Sequence, residues 1–307
     1  MTHSIRANYA PALAAAREAA ADQHYPQGAL YVVATPIGNL ADITLRALHV
    51  LAQVDAVACE DTRHTQQLLR AYGIERPAGQ LLALHQHNEA EAAVAVIGHL
   101  RHGLRVACVS DAGTPAVSDP GARLVAAVRD AGLPVVPLPG ASSLTTLLSA
   151  AGMTQEGGFV FAGFLPTKAA ERGRAVSQLA AEDRAVVLLE APHRIAALAD
   201  SLAVLGDRPV TFGRELTKQF EEIATVPARD GPAWLAADAH RTRGEFVLVV
   251  HGAPVAADAG HDERVLRLLL AELPLKSAVR LAADITGRPK NSLYDAALAL
   301  RKAEGDG

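Results

Sequence analysis

Cysteine is nearly absent: only Cys59 and Cys108 occur in 307 residues, each inside an apolar run, 56–59 and 106–109. Two isolated thiols exclude a disulfide framework and suit a reducing, cytoplasmic compartment. Neither CxxC nor HExxH occurs, so no metal is expected. Aromatic residues make up only 4% of the chain, and Ala, Leu and Val dominate its apolar half. Such cores form aliphatic helix-on-sheet layers more readily than β-sandwiches. No run of 18 apolar residues exists, so no membrane-spanning helix is expected, and Arg17 and Glu18 interrupt the one Ala-rich stretch near the N-terminus. The net charge of −4 lacks the basic excess common in nucleic-acid binders. GxGxxG and GxxxxGK[ST] are missing too, which leaves dinucleotide and P-loop readings without support.

What is present is alternation. From residue 29 onward short β-branched runs take turns with amphipathic stretches. Strands are expected at 29–34, 56–59, 104–109 and 134–138. A further strand is expected to end just before His85. Helices are expected at 42–54 with Asp42 as N-cap, 62–72 ended by Gly73, 88–100 with Asn88 as cap, 120–131 opened by Pro120, and 142–151. This is βαβ order and implies a mostly parallel sheet. A second unit follows Gly152, with strands at 159–164, 185–190, 210–212 and 246–250 and helices at 168–181, 193–205 and 232–239. A small polar linker, 252–262, leads to three short helices at 266–273, 276–285 and 291–302. The domain plan is therefore a flexible arm at 1–27, α/β domains at 28–140 and 141–252, and a helical appendage at 263–302.

Three expected strand ends carry Gly/Pro loops: Thr35 to Leu40, Ser110 to Pro115, and Pro137 to Ser143. Gly allows close backbone approach and Pro fixes a turn. Any one of them is an ordinary turn; three at the carboxyl ends of parallel strands point to a small-molecule site. Asp42 and Asp111 would repel a polyphosphate but suit a ribose hydroxyl or a cationic ligand. S-adenosylmethionine has that profile, though the loops alone do not choose it.

The segment LYVVATPIGNLAD at 30–42 resembles the opening signature of the ribosomal RNA small subunit methyltransferase I family, a branch of the tetrapyrrole (corrin/porphyrin) methylase superfamily. Further blocks follow in order: EDTRHT at 60–65, LHQHNE at 84–89, SDAGTP at 110–115 continued by SDPG at 118–121, and PLPG at 137–140. GFLP at 163–166, EAPHR at 190–194, RELTK at 214–218, GEFVLV at 244–249 and LPLK at 273–276 complete the series. The resemblance runs from about residue 28 to about residue 300. It implies an α/β, two-domain tetrapyrrole-methylase-like fold with a small C-terminal helical appendage. It implies S-adenosylmethionine bound in a cleft, at Pro36, Gly38, Asp111, Ala112, Gly113, Thr114, Gly140, Ala141, Ser142 and Glu190. The implied reaction is methyl transfer to a cytidine ribose 2′-oxygen in the decoding centre of 16S rRNA. The substrate would be the 30S subunit or a late assembly intermediate, and the enzyme a homodimer.

A ribose hydroxyl profits from a base or a nearby cation. His85, Glu215 and Lys218 are the catalytic candidates, although His85 is also read as a surface loop residue and Glu215 with Lys218 as an ion pair on a solvated face. Arg63, His64, Asn88 and Arg194 are candidate RNA contacts. Asp61 or Thr62 would cap a helix, and His193 with Arg194 equally suits a helix start. In the tail Lys276, Arg280, Arg288 and Lys290 face Asp284 alone, and two helices around a Gly turn have the outline of a helix-turn-helix. Arg280 and Lys290 are therefore read as RNA contacts, or as the solvated face of a helical cap. Two rival functions are a tetrapyrrole C-methyltransferase and a non-enzymatic ligand-binding regulator with the tail as its reader.

Overall fold

The computed structural model describes residues 9–154, 158–253 and 259–305. The first five strands are β1 (Leu30–Val33), β2 (Ala56–Cys59), β3 (Leu81–Ala83), β4 (Val106–Val109) and β5 (Val135–Leu138). They form one all-parallel sheet in the order β3-β2-β4-β1-β5. β2 and β4 are buried at every position, as the central strands of a sheet covered on both faces must be. One face is covered by α1 (Ala10–Ala20), α2 (Leu45–Gln53) and α3 (Thr62–Ala71), which bury Leu13, Leu48, Leu51 and Leu69 against Tyr31, Val57 and Cys59. The other is covered by α4 (Glu89–Arg101) and α5 (Ala122–Asp130), with Val96, Leu100, Leu124 and Val128 against Val106 and Cys108. The two thiols thus lie on opposite faces.

Three local expectations change. The described part of the N-terminal arm, for which a frayed helix or a disordered segment was expected, is a helix and is docked: Leu13, Ala16 and Ala20 fall on one face of α1 and are buried. Residues 1–8 lie outside the described residues. Asp42 is not the cap of α2. It closes a 3₁₀ turn, 40–42, capped by Asn39, and Thr44 caps α2 by accepting the Ala47 N–H at 3.1 Å. Pro120 precedes α5 instead of opening it, because Gly121 at φ +127° turns the chain first.

A buried cation closes α2. The Arg76 guanidinium reaches the Leu51 and Val54 carbonyls at 2.6 and 2.5 Å. These are orphan acceptors at a helix C-terminus, where positive charge is favoured.

The second sheet is mixed. Its strands are β6 (Phe159–Phe164), β7 (Ala185–Glu190), β8 (Pro209–Arg214), β9 (Glu222–Pro227) and β10 (Phe246–Val250), in the order β6-β7-β10-β8-β9. Only β6–β7 is parallel; β7–β10, β10–β8 and β8–β9 are antiparallel. β9 was not expected from sequence. One face packs on α7 (Ala169–Ala180), α8 (Ile195–Leu202) and α9 (Gly231–Ala236). The other packs on α6 (Ser143–Ala150) and on Ile37 from the first loop, joining the two halves through Leu147, Val187, Leu216, Val247 and Val249. Gly213 lets Leu147 sit there: a Cβ at 213 would meet its Cδ1 at 2.6 Å.

Both α/β halves belong to one unit, the described chain up to Ala180 with Arg184–His251. Residues 181–183 and 252–307 form another. The latter holds α10 (Ala259–Glu272), α11 (Leu275–Thr286) and α12 (Lys290–Gly305), with a core of its own built on Leu266, Val279, Ala282, Leu293 and Ala297. Gly287 ends α11 in the left-handed conformation, φ +70°. The expected linker spans 252–262, of which 254–258 lie outside the described residues. Among the described residues no helix is long and apolar enough to cross a membrane.

Candidate functional site

At the carboxyl ends of β1, β4 and β5 the three Gly/Pro loops are bonded to one another. Thr35 and Gly113 exchange backbone hydrogen bonds at 2.9 and 3.0 Å, and the Thr35 hydroxyl donates to the Ser110 carbonyl at 3.1 Å. The Thr114 hydroxyl donates to the Ala141 carbonyl at 3.0 Å, which ties the second loop to the third. Close approach explains the glycines. Gly113 lies at φ +84° with Ile37 over it, and a Cβ at Gly140 would meet the Ala34 Cβ at 2.8 Å. Gly140 therefore serves packing between loop and strand; the surrounding atoms at that position are protein, not an open ligand space. A Cβ at Gly38 would strike the Lys218 side chain at 2.4 Å, so this glycine brings the first loop against the second half.

Between these loops and the second sheet lies a cavity of about 390 Å³. The first half lines it with Ile37, Ala112, Ser118, Asp119 and Ser143. The second half contributes Phe164, Leu189 to Pro192, Leu216 and Glu245 to Val247. A small extension includes Gly113, Thr114 and Ser142. Of the expected donor-binding residues, Ala112, Gly113, Thr114, Ser142 and Glu190 thus line the cavity or its extension. Pro36, Gly38, Asp111, Gly140 and Ala141 are not among its lining residues. Asp111 accepts the Asp61 N–H at 3.2 Å, linking the second loop to the start of α3.

The cavity is rich in carboxylates. Glu190 is 3% exposed; its Oε1 accepts the Ala191 N–H at 2.9 Å and pairs with Arg194 at 3.0 Å. Its Oε2 has no hydrogen-bond partner among the described residues. Burial pushes the Asp119 carboxyl up, a Ser110 hydrogen bond opposes this, and the Asp111 charge adds to it. Glu60, at the end of β2, is raised by loss of solvent and by the charges of Asp111 and Asp119, with His85 pulling the other way. Acidic groups held this way favour a cation or hydroxyl donors. At the start of α6 the Ser142 side chain makes no capping bond, leaving first-turn N–H groups for a ligand.

The catalytic candidates are split. His85 is exposed at the end of β3 and does not line the cavity; its N–H donates to the Asn88 side chain at 2.8 Å. Asn88 also donates to the Ala83 carbonyl at 3.0 Å, so it staples this turn instead of capping α4 with its side chain. Glu215 and Lys218 pair at 2.9 Å, and Lys218 also reaches Glu245 at 3.1 Å. They sit at the cavity edge, beside Leu216 and Glu245, and not on an open surface. Burial raises the Glu215 carboxyl, but Lys218 and the Glu245 N–H outweigh this and hold it below the usual range.

Among the RNA candidates, Arg63 is 88% exposed beside Asp61, which caps α3 as expected, and His64 is exposed next to it. Arg194 is held inward by Glu190 and the Leu165 carbonyl, so it braces the wall and is not presented to solvent. Arg280 and Lys290 are exposed on α11 and α12. Sequence reasoning missed Asp119 and Phe164 as cavity residues, though both lie within quoted blocks. It also missed Glu89, whose buried carboxylate accepts the Gly121 N–H at 2.7 Å.

The family model for tetrapyrrole (corrin/porphyrin) methylases matches residues 29–231, and that for the RsmI C-terminal HTH domain matches 256–301. The chain belongs to the tetrapyrrole methylase family. Within it, the chain is 49% identical to ribosomal RNA small subunit methyltransferase I of Pseudomonas aeruginosa, over 88% of this chain and 97% of that one. Identity to the enzyme of the same name from Neisseria meningitidis serogroup A is 48%, over 89% and 94%. Solved structures agree on the fold. The methyltransferase CobJ superposes with a TM-score of 0.54 at 19% identity, covering 73% of this chain and 94% of that one. Cobalt precorrin-4 methyltransferase gives 0.53 at 19%, covering 74% and 98%. Likeness at this level of identity speaks for the fold alone.

Proposed function

We propose that this methylase transfers a methyl group from S-adenosylmethionine to a cytidine ribose 2′-oxygen in 16S rRNA, acting on the 30S subunit or a late assembly intermediate. The observation that carries the donor is Glu190: a carboxylate oxygen in the cavity wall that is buried and lacks a partner, beside the acidic Asp119. A buried acceptor of this kind costs stability unless a ligand donor completes it. The residues that would hold the donor are Glu190, Ala112 to Thr114 and Ser142. When bound, S-adenosylmethionine supplies an electrophilic methyl on a sulfonium cation.

The protein's own contribution is alignment and exclusion of water. Ile37, Leu189, Leu216, Phe246 and Val247 make the walls apolar. Asp119, a carboxylate in the wall that burial pushes to a raised pKa, would take the hydroxyl proton. Lys218, held by Glu215 and Glu245, fixes the opposite edge. The RNA reading draws on the near-full-length relatives and the HTH match of the tail. With it go the homodimer and the cytoplasmic location expected from the resemblance. The tetrapyrrole reading has the family model and the fold likeness behind it, but none of the near-full-length relatives named above carries that activity in its name. Labelled donor incubated in parallel with undermethylated small subunits and with a uroporphyrin-type acid tests the assignment: label is expected in the RNA, and transfer to the acid alone would refute it.

A further inference from the structure

Phe164 occupies an unusual position. It is 56% exposed, as Phe159 and Phe220 are also exposed, but of these three it is the one that lines the cavity wall. An irregularity in β6 puts it there. Phe161 pairs with Val187, but the next registered pair is Gly163 with Leu188, then Phe164 with Leu189; Ala162 is the extra residue. Gly163, at φ +65°, adopts the turn this requires.

The parity of side chains follows. Val160 packs with the α7–α8 face, as does its partner Val186. Phe161 and Val187 pack on the opposite, cavity-side face. In an unbroken strand residue 164 would fall on the same face as 160, since side chains alternate with period two. The inserted residue reverses this and sets Phe164 beside Leu189, a cavity residue. A strand bulge has therefore turned a large apolar ring away from a core where burial would stabilise it and into an open cavity.

We propose that Phe164 is a stacking platform for a nucleobase of the RNA substrate, the base of the target nucleoside turned out of its stack into the cavity mouth. This rests on the RNA reading above. A planar base is the ligand chemistry that profits most from an exposed aromatic face, and such stacking tolerates water at the ring edge. The donor's adenine shares that chemistry. Of the residues that would hold the donor, Ala112 to Thr114 and Ser142 come from the first half and Glu190 from the inner strand β7, whereas Phe164 stands on the outer strand β6 and is more than half exposed. That exposed edge position favours the macromolecular substrate.

The test compares wild type, Phe164→Ala and Phe164→Trp in the full chain. Because the ring is largely exposed, all three should share one melting temperature. KM for undermethylated small subunits should rise about tenfold in Phe164→Ala and return towards wild type in Phe164→Trp. Donor affinity by calorimetry should be unchanged throughout. An unaltered KM for subunits would overturn the proposal, and so would a donor affinity that falls in step, which would assign the ring to adenine. A wild type that methylates no RNA would overturn both this and the reading beneath it.

Discussion

The Glu89 carboxylate accepts the Gly121 N–H at 2.7 Å, joining the start of α4 to the turn that carries Asp119. Arg123 stands 3.6 Å from its other oxygen but is largely exposed, so the backbone bond is the part that matters. The block that contains His85 and Asn88 thus reaches across to brace the cavity wall.

Glu89→Ala should leave the Gly121 N–H unsatisfied in a buried place and cost about 1–3 kcal/mol. Glu89→Gln keeps an acceptor and should cost less. Donor affinity should follow the same order, because the Ser118–Asp119 wall loosens with the turn. Urea denaturation and calorimetry on the two variants check both statements.

Gly140→Ala should destabilise the enzyme by about 1–3 kcal/mol through overpacking, with the new Cβ set 2.8 Å from that of Ala34. Ala34→Gly in the same chain removes the opposing atom and should recover much of the loss. A double-mutant cycle in denaturant would then show strong coupling between the two sites. Additive effects would mean that Gly140 is constrained by something other than Ala34.

Asp119 gives a pH signature with a definite sign. Burial, against the Ser110 hydrogen bond and with the Asp111 charge, raises its folded pKa above the ordinary aspartate value of 3.8. Its ionised form is therefore disfavoured in the folded state at any pH above that raised value. The penalty fades as pH falls, and is gone below about 3.8. Asp119→Asn should raise the melting temperature at pH 7 and lose that advantage near pH 4, while kcat falls. A variant less stable than wild type at pH 7 would contradict the assignment.

Much of this fold was legible. The bounds of β2, β7 and β10 coincide with the apolar runs at 56–59, 185–190 and 246–250, because strands buried among other strands are continuous in hydrophobicity; those of the edge strand β6 coincide with the run at 159–164 although half of its positions are exposed. β9 escaped because it is an edge strand: Ile223 and Thr225 are exposed, and Glu222 and Pro227 bound it, which blurs the pattern. The three-loop site was visible as Gly and Pro at strand ends. Its depth was not. The contacts that finish it, Glu89 accepting from Gly121 and Arg194 donating to Glu190, depend on residues 32 positions apart and on a charge pair turned inward. Arg194 was expected either on RNA or at a helix start; it stands at the start of α8, and its inward pairing with Glu190 is what the sequence did not show. The β6 bulge was hidden for a simpler reason: one inserted residue leaves composition intact and changes only parity.

Removal of 254–307 should leave a folded core that binds the donor, since the tail helices bury Leu266, Ala282 and Leu293 among themselves. Methylation of subunits should fall through KM more than kcat, because Arg280 and Lys290 leave with the tail. Aggregation or lost donor binding would make the tail a structural part of the core.

The central claim is tested most directly by the identity of the methylated product. Small subunits lacking the modification are incubated with this enzyme and isotopically labelled S-adenosylmethionine, the 16S rRNA is digested to nucleosides, and the labelled species is identified by mass spectrometry. The account predicts label in 2′-O-methylcytidine, formed much more slowly when Asp119→Asn replaces the wild type. Label on a base carbon or nitrogen, or none in RNA, would contradict it.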